Sequence, residues 1–146
     1  VSNIKNTDTI ITRINSLFKV KKIKYMNKDS ENIQMYISDC WYEINIKNNS
    51  KDNVQNLLVS KLLNKILKPV FNIKDERNNK NVTFIPGNQD ILKFTKKIKK
   101  NEALFLMNTI NLNTIIQIAN NNQTTPPKST FILPKLPSGL IMTEIL

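Results

Sequence analysis

The 146-residue chain contains no histidine, one cysteine (Cys40), two glycines (Gly87 and Gly139) and two arginines (Arg13 and Arg77). Without imidazole the usual zinc sets cannot be assembled, and triads or acid–base schemes built on histidine are excluded. A single thiol excludes an intrachain disulfide. The sequence therefore assigns no metal ligands and no catalytic residue. Long apolar runs are also missing: Ala103 to Met107 is five residues, where a bilayer span needs about twenty. No charged-then-apolar leader opens the sequence, so the expectation is a cytoplasmic protein of a reducing compartment with no membrane partner.

What is present suits one domain. The hydrophobic share of 40% supplies a core, and the charged share of 23% is ordinary for a globular chain. A net charge of +11 invites a nucleic-acid reading. Yet the basic residues are 20 Lys against 2 Arg, and they accompany 23 Asn and 21 Ile. These three abundant types are specified by adenine- and thymine-rich codons, so drift accounts for the bias as well as binding does. Arginine, the bidentate reader of bases and phosphates, is scarce. Surface lysines that keep the protein soluble are the better default.

Hydrophobic spacing predicts a helix over residues 7–18, capped by Thr7 or Asp8, with Ile10, Ile11, Ile14, Leu17 and Phe18 on one face. A strand is expected over 20–26, then a hairpin of strands 33–37 and 41–46 around Ser38-Asp39-Cys40. The clearest helix spans 53–67, with Pro69 ending it. Further expectations are a strand at 82–85, a helix at 89–99 capped by Asn88, and a strand at 103–107 buried on both faces. A helix opened by Asn111 or Asn113 and a final strand at 140–146 complete the pattern. The fold class is α+β: a mixed sheet of about five to seven short strands packed by three to four helices, in one unit over 1–146.

Two segments carry more than pattern. The first is Lys74-Asp75-Glu76-Arg77-Asn78-Asn79-Lys80-Asn81-Val82-Thr83-Phe84-Ile85-Pro86-Gly87. The second is Thr125-Pro126-Pro127-Lys128-Ser129-Thr130-Phe131-Ile132-Leu133-Pro134-Lys135-Leu136-Pro137-Ser138-Gly139-Leu140. Together they resemble the C-terminal region of the bacterial domain-of-unknown-function 1015 family, which reads D-P-R-T-D-K-R-I-x-F-V-G-G and M-P-P-K-S-T-x-F-x-P-K-L-x-S-G-L at these places. The resemblance extends from about Ile14 onward. Glu76 stands where the family has proline, Asn81 where it has arginine, and Pro86 where it has the first glycine. Family members are longer, and their upstream part carries a D-G-H-H-R motif like that of ParB-related free-serine kinases. The resemblance implies a C-terminal module or fragment, incomplete without an upstream half. It also implies phosphoryl transfer to a small hydroxyl substrate by the full-length protein, with ATP, ADP or pyrophosphate as donor. This chain, alone, is expected to be inactive and to hold no cofactor.

The residues themselves support anion chemistry at both loops. Lys128, Ser129 and Thr130 follow two prolines and offer an ammonium and two hydroxyls to a phosphate or carboxylate. This is not a P-loop, since 121–127 hold no glycine. Lys135 belongs to the same motif, and Ser138-Gly139 offers a second close backbone approach, Gly139 being free to take positive φ. In the first loop Arg77 can grip an oxyanion, with Asp75 orienting it and Lys80 adding charge. Each has a plain structural alternative: Lys128-Ser129-Thr130 as the start of a strand, Asp75–Arg77 as a loop ion pair, and the lysines of 93–100 as a solvated helix face. Three functional readings follow. They are a phosphate-binding accessory module of a kinase-like protein whose partner is the upstream half, a nucleic-acid-associated ParB-like module, and a packing domain with no activity of its own.

Overall fold

The computed structural model describes residues 1–47 and 50–130. The first helix, α1 (Thr7–Leu17), starts one residue earlier than a cap at Thr7 implies and two earlier than a cap at Asp8 does. Asn6, in extended conformation, accepts the Thr9 N–H at 3.0 Å, and Asp8 falls in the first turn, where its charge suits the helix dipole. Ile14 is fully buried, but Leu17 lies outward instead of joining the apolar face.

Strands β1 (Lys19–Ile23), β2 (Ile33–Ile37), β3 (Cys40–Asn45) and β4 (Leu104–Leu106) form an antiparallel sheet in the order β1-β3-β2-β4. The fold is α+β. The β2–β3 hairpin turns on Ser38 and Asp39, with φ of 49° and 59°. Two consecutive positive φ values define a type I′ turn, whose twist matches that of the strands it joins. Neither residue relaxes fully there, so S38N combined with D39G is expected to raise stability by about 1 kcal/mol. Urea unfolding of the double variant checks this.

Strand register separates the two faces. Ile33, Met35 and Ile37 face inward with Ile44 and Tyr42 of β3, Val20 of β1 and Phe105 of β4. Gln34 and Tyr36 take the other face beside Trp41, Glu43 and Leu104. The inward face packs on α1 and on a helical run over 58–71, through Leu62, Ile66, Leu67 and Val70.

That run departs from the single helix expected over 53–67. A short α2 (Asn53–Asn56), capped by Asp52, stops at Leu57, whose ψ of 140° is extended. Asp52 also accepts from Gln123, which follows helix α6 (Leu112–Asn120), so α2 goes with α6. The chain resumes as α3 (Leu58–Lys61), passes through a π segment (Leu62–Leu67) and continues as α4 (Lys68–Phe71). Pro69 therefore does not end the helix. The wide π turn, closed by Lys68 N–H on the Leu63 carbonyl, relieves the clash that a proline ring makes with the preceding α turn. Termination falls instead to Asn72 in the left-handed conformation (φ 56°), with Ile73 N–H returning to the Leu67 carbonyl at 2.9 Å.

The strand expected at 82–85 does not form; β4 takes the place beside β2, and 82–85 runs as irregular chain. The expected final strand at 140–146 lies outside the described residues. Four strands are therefore seen among the described residues, against the five to seven expected. Helix α5 (Ile91–Thr95) is shorter than the 89–99 expected, because Asp90, not Asn88, caps it through Leu92 N–H at 3.0 Å. At the start of β4, Ala103 and Leu104 are consecutive and both buried, so both faces are covered there, while 105–107 are half-buried. Among the described residues, no helix is long and apolar enough to cross a membrane.

Candidate functional site

The first loop is organised by a single carboxylate. Asp75 Oδ1 accepts the Arg77 backbone N–H at 3.0 Å and its Nε–H at 3.3 Å, and Oδ2 accepts from Asn78 Nδ2 at 2.9 Å. Asp-x-Arg-Asn is thus an Asx turn, which an aspartate favours locally. The Arg77 backbone N–H, then its side chain and Asn78, hold the Asp75 carboxyl below its ordinary pKa. The latch accordingly persists throughout the range where ordinary carboxylates ionise and is lost only as pH falls through that depressed value. Arg77 spends one edge of its guanidinium on Asp75, with 59% of its side chain still exposed. Lys80 is exposed two residues beyond Asn78.

The second segment makes a tight turn over 126–129. Pro127 supplies the fixed φ of its second position and Lys128 the positive φ (58°) of its third, the signature of type II. Ser129 donates both its N–H and its hydroxyl to the Pro126 carbonyl. The hydroxyl proton is thus committed to the turn, and the oxygen retains acceptor capacity only. Thr130 is exposed, and neither residue is in a strand. Lys135, Ser138 and Gly139 lie outside the described residues.

The two segments meet. Lys128 Nζ sits 4.6 Å from the ring centroid of Phe84, a cation–π contact that fixes the ammonium over the chain following Lys80. One side of the ammonium faces the ring, which leaves N–H groups for an anion on the other. Sequence reasoning named Lys128 but missed Phe84 as its platform. The only available signal was an aromatic inside the first motif, and nothing local says which cation will reach it.

Asn81, named from the sequence only as a departure from the family pattern, ties this loop to the start of the chain. Its carbonyl accepts from Ser2 N–H at 2.9 Å and its Oδ1 from Asn3 Nδ2 at 2.6 Å. Beside it a cleft of ≈ 340 Å³ opens between residues 1–10 and 70–73. A smaller hollow of ≈ 170 Å³ lies against Lys93, Phe94 and Lys97 of the α5 region. Neither is lined by Lys128, Arg77 or Lys80. The lysines at 93, 96, 97, 99 and 100 are all exposed, as a solvated face requires. Away from both loops, Lys61 is buried and donates to the Ile46 carbonyl at 3.0 Å, and burial lowers its pKa.

Among the described residues no three His, Cys, Asp or Glu side chains group together as metal ligands. The site can therefore be described as a cationic one: an ammonium on an aromatic platform, a half-engaged guanidinium in the neighbouring loop, and exposed hydroxyl and ammonium groups beside each. No family model, curated protein or solved structure matches the chain.

Proposed function

We propose that the chain is a phosphate-binding accessory module of a kinase-like protein, inactive alone, whose reacting groups belong to a separate upstream half resembling that of the domain-of-unknown-function 1015 family. The ligand is a phosphorylated small molecule or the phosphate end of ATP, ADP or pyrophosphate. Lys128 grips it, with Thr130 and the first loop's Arg77 and Lys80 completing the cationic edge. The single observation that carries this reading is the Lys128–Phe84 contact, because it joins one residue from each motif and holds an ammonium in a defined place.

The test is titration with inorganic pyrophosphate, followed by NMR shifts of the 75–84 and 126–130 amides. Lys128→Gly removes the charge while keeping a residue that tolerates φ of 58°. Its affinity is expected to fall about tenfold, the worth of one charge-assisted hydrogen bond. Unchanged affinity in that variant, or shifts elsewhere only, overturns the reading.

A second reading, a packing domain without ligand, has its own support. Leu112 and Ile116, one turn apart on α6, are 70% and 46% exposed, and the Ser129 hydroxyl proton is already spent. It predicts no response to pyrophosphate at either loop.

A further inference from the structure

The two sides of the sheet end differently. On the β4 side the start of the chain pairs with the residues just before that strand: Val1 nitrogen donates to the Ala103 carbonyl at 2.7 Å, Ala103 N–H donates to the Val1 carbonyl at 2.8 Å, and Ile4 N–H donates to the Asn101 carbonyl at 2.9 Å. At the opposite side β1 has β3 as its one strand neighbour among the described residues. Its outer row of backbone N–H and C=O groups is a template for another strand.

The side chains along that border decide which strand it accepts. Lys19-Val20-Lys21-Lys22-Ile23-Lys24 places four ammonium groups around two half-buried apolar residues. Lys19 and Lys21 lie on one face and Lys22 on the other. Lys22 lies near Cys40, whose side chain is the chief influence raising the lysine's pKa. Countercharge is sparse: Glu43 lies opposite Lys21 but accepts from Ser30 at 2.6 Å, and Asp8 of α1 acts on Tyr42. At the end of the strand Tyr25 is 72% exposed with Lys24 Nζ 5.4 Å from its ring. Such a lysine-lined border repels a second copy of itself, whereas an acidic strand gains both charge pairs and ladder hydrogen bonds.

We propose that the outer edge of β1 is a docking site for an extended acidic peptide segment of a partner protein, added to the sheet as a further strand. The pattern acid-apolar-acid-acid-apolar-acid fits the six residues in either direction, because the charge pattern of 19–24 is palindromic. A strand rather than a nucleic acid is favoured because β1 offers a row of backbone donors and acceptors in addition to its charge.

The experiment uses the full chain and a fluorescein-labelled peptide, Glu-Val-Glu-Glu-Val-Glu, read by anisotropy. Two N-methylated versions carry the methyl groups on alternate residues. One version is expected to bind at least tenfold more weakly and the other nearly unchanged, since only alternate N–H groups of an added strand face the sheet. Lys19→Glu with Lys21→Glu is expected to weaken the unmethylated peptide at least tenfold. Equal binding of both methylated versions, equal binding of a single-stranded oligonucleotide, or no binding because residues 131–146 or a second copy already hold the edge overturns the proposal. Because neither Lys128 nor Phe84 belongs to the sheet, K128G should leave peptide binding intact, which separates this failure from failure of the phosphate reading.

Discussion

Replacing Ile66 by alanine is expected to lower the free energy of unfolding by about 3–4 kcal/mol, a large part of the roughly 5–15 kcal/mol that holds a domain of this size. Ile66 has no solvent exposure and sits in the π segment, in a cluster with Ile14, Met35, Ile44 and Val70. Truncation removes three carbons whose space the surroundings cannot reclaim. The sheet below is held by ladders on either side of β2 and β3, and the helix above is anchored at both ends of the turn. Urea unfolding followed by Trp41, the one tryptophan and 7% exposed, reads the loss directly. The control is Leu112→Ala on the outer face of α6, which should stay within about 0.5 kcal/mol. Equal effects at the two positions would mean that the sheet-facing cluster is not the core.

The second large effect is expected at Gln34, the one fully buried uncharged amide of the sheet. Its side chain acts as a peptide group in miniature: Oε1 accepts the Asn27 N–H at 2.7 Å and Nε2 donates to the Asn27 carbonyl. It thereby closes the loop between β1 and β2. Gln34→Leu keeps the volume and strands both Asn27 groups, at an expected cost of about 2–3 kcal/mol. Gln34→Glu gives a sharper test. The protonated acid can both accept and donate, as the amide does, while the buried carboxylate loses the donor and faces the Asn27 carbonyl. Burial raises the folded pKa of such a carboxyl above its unfolded value near 4.3. The variant's stability should therefore approach that of the parent below about pH 4 and fall as pH rises through the folded value. A pH-independent difference between the Gln34→Glu variant and the parent would show that the amide is not sealed from water as described.

Legibility in the sequence followed the range of the interactions. The hairpin at Ser38-Asp39, the cap at Asn111 and the apolar faces of 62–67 were accessible, because each depends on residues within a turn or two of one another. The errors share a different cause. Pro69 was expected to stop a helix, and locally it does disfavour α-helix; what carries the chain past it is a π turn that keeps Leu62, Ile66 and Val70 on the sheet. Residues 82–85 have strand-like composition, but a strand exists only beside a partner, and β4 had taken the position next to β2. In the site, Asp75 with Arg77 was readable as a local pair, whereas Phe84 beneath Lys128 was not.

By itself, then, the amino-acid order settled where the first and last described helices lie, the hairpin turn at Ser38-Asp39, the alternation along β1 and β3, and the mixture of helix and strand. Those follow from dihedral preferences and hydrogen bonds spanning a few residues. Only the folded molecule decided that β4 lies beside β2, that the long helix survives its proline, that β1 remains a border strand among the described residues, and that an ammonium from the second motif rests on a ring from the first. Those outcomes depend on which apolar surfaces meet across long stretches of chain, and burial is shared among so many residues that no short window of sequence records the choice.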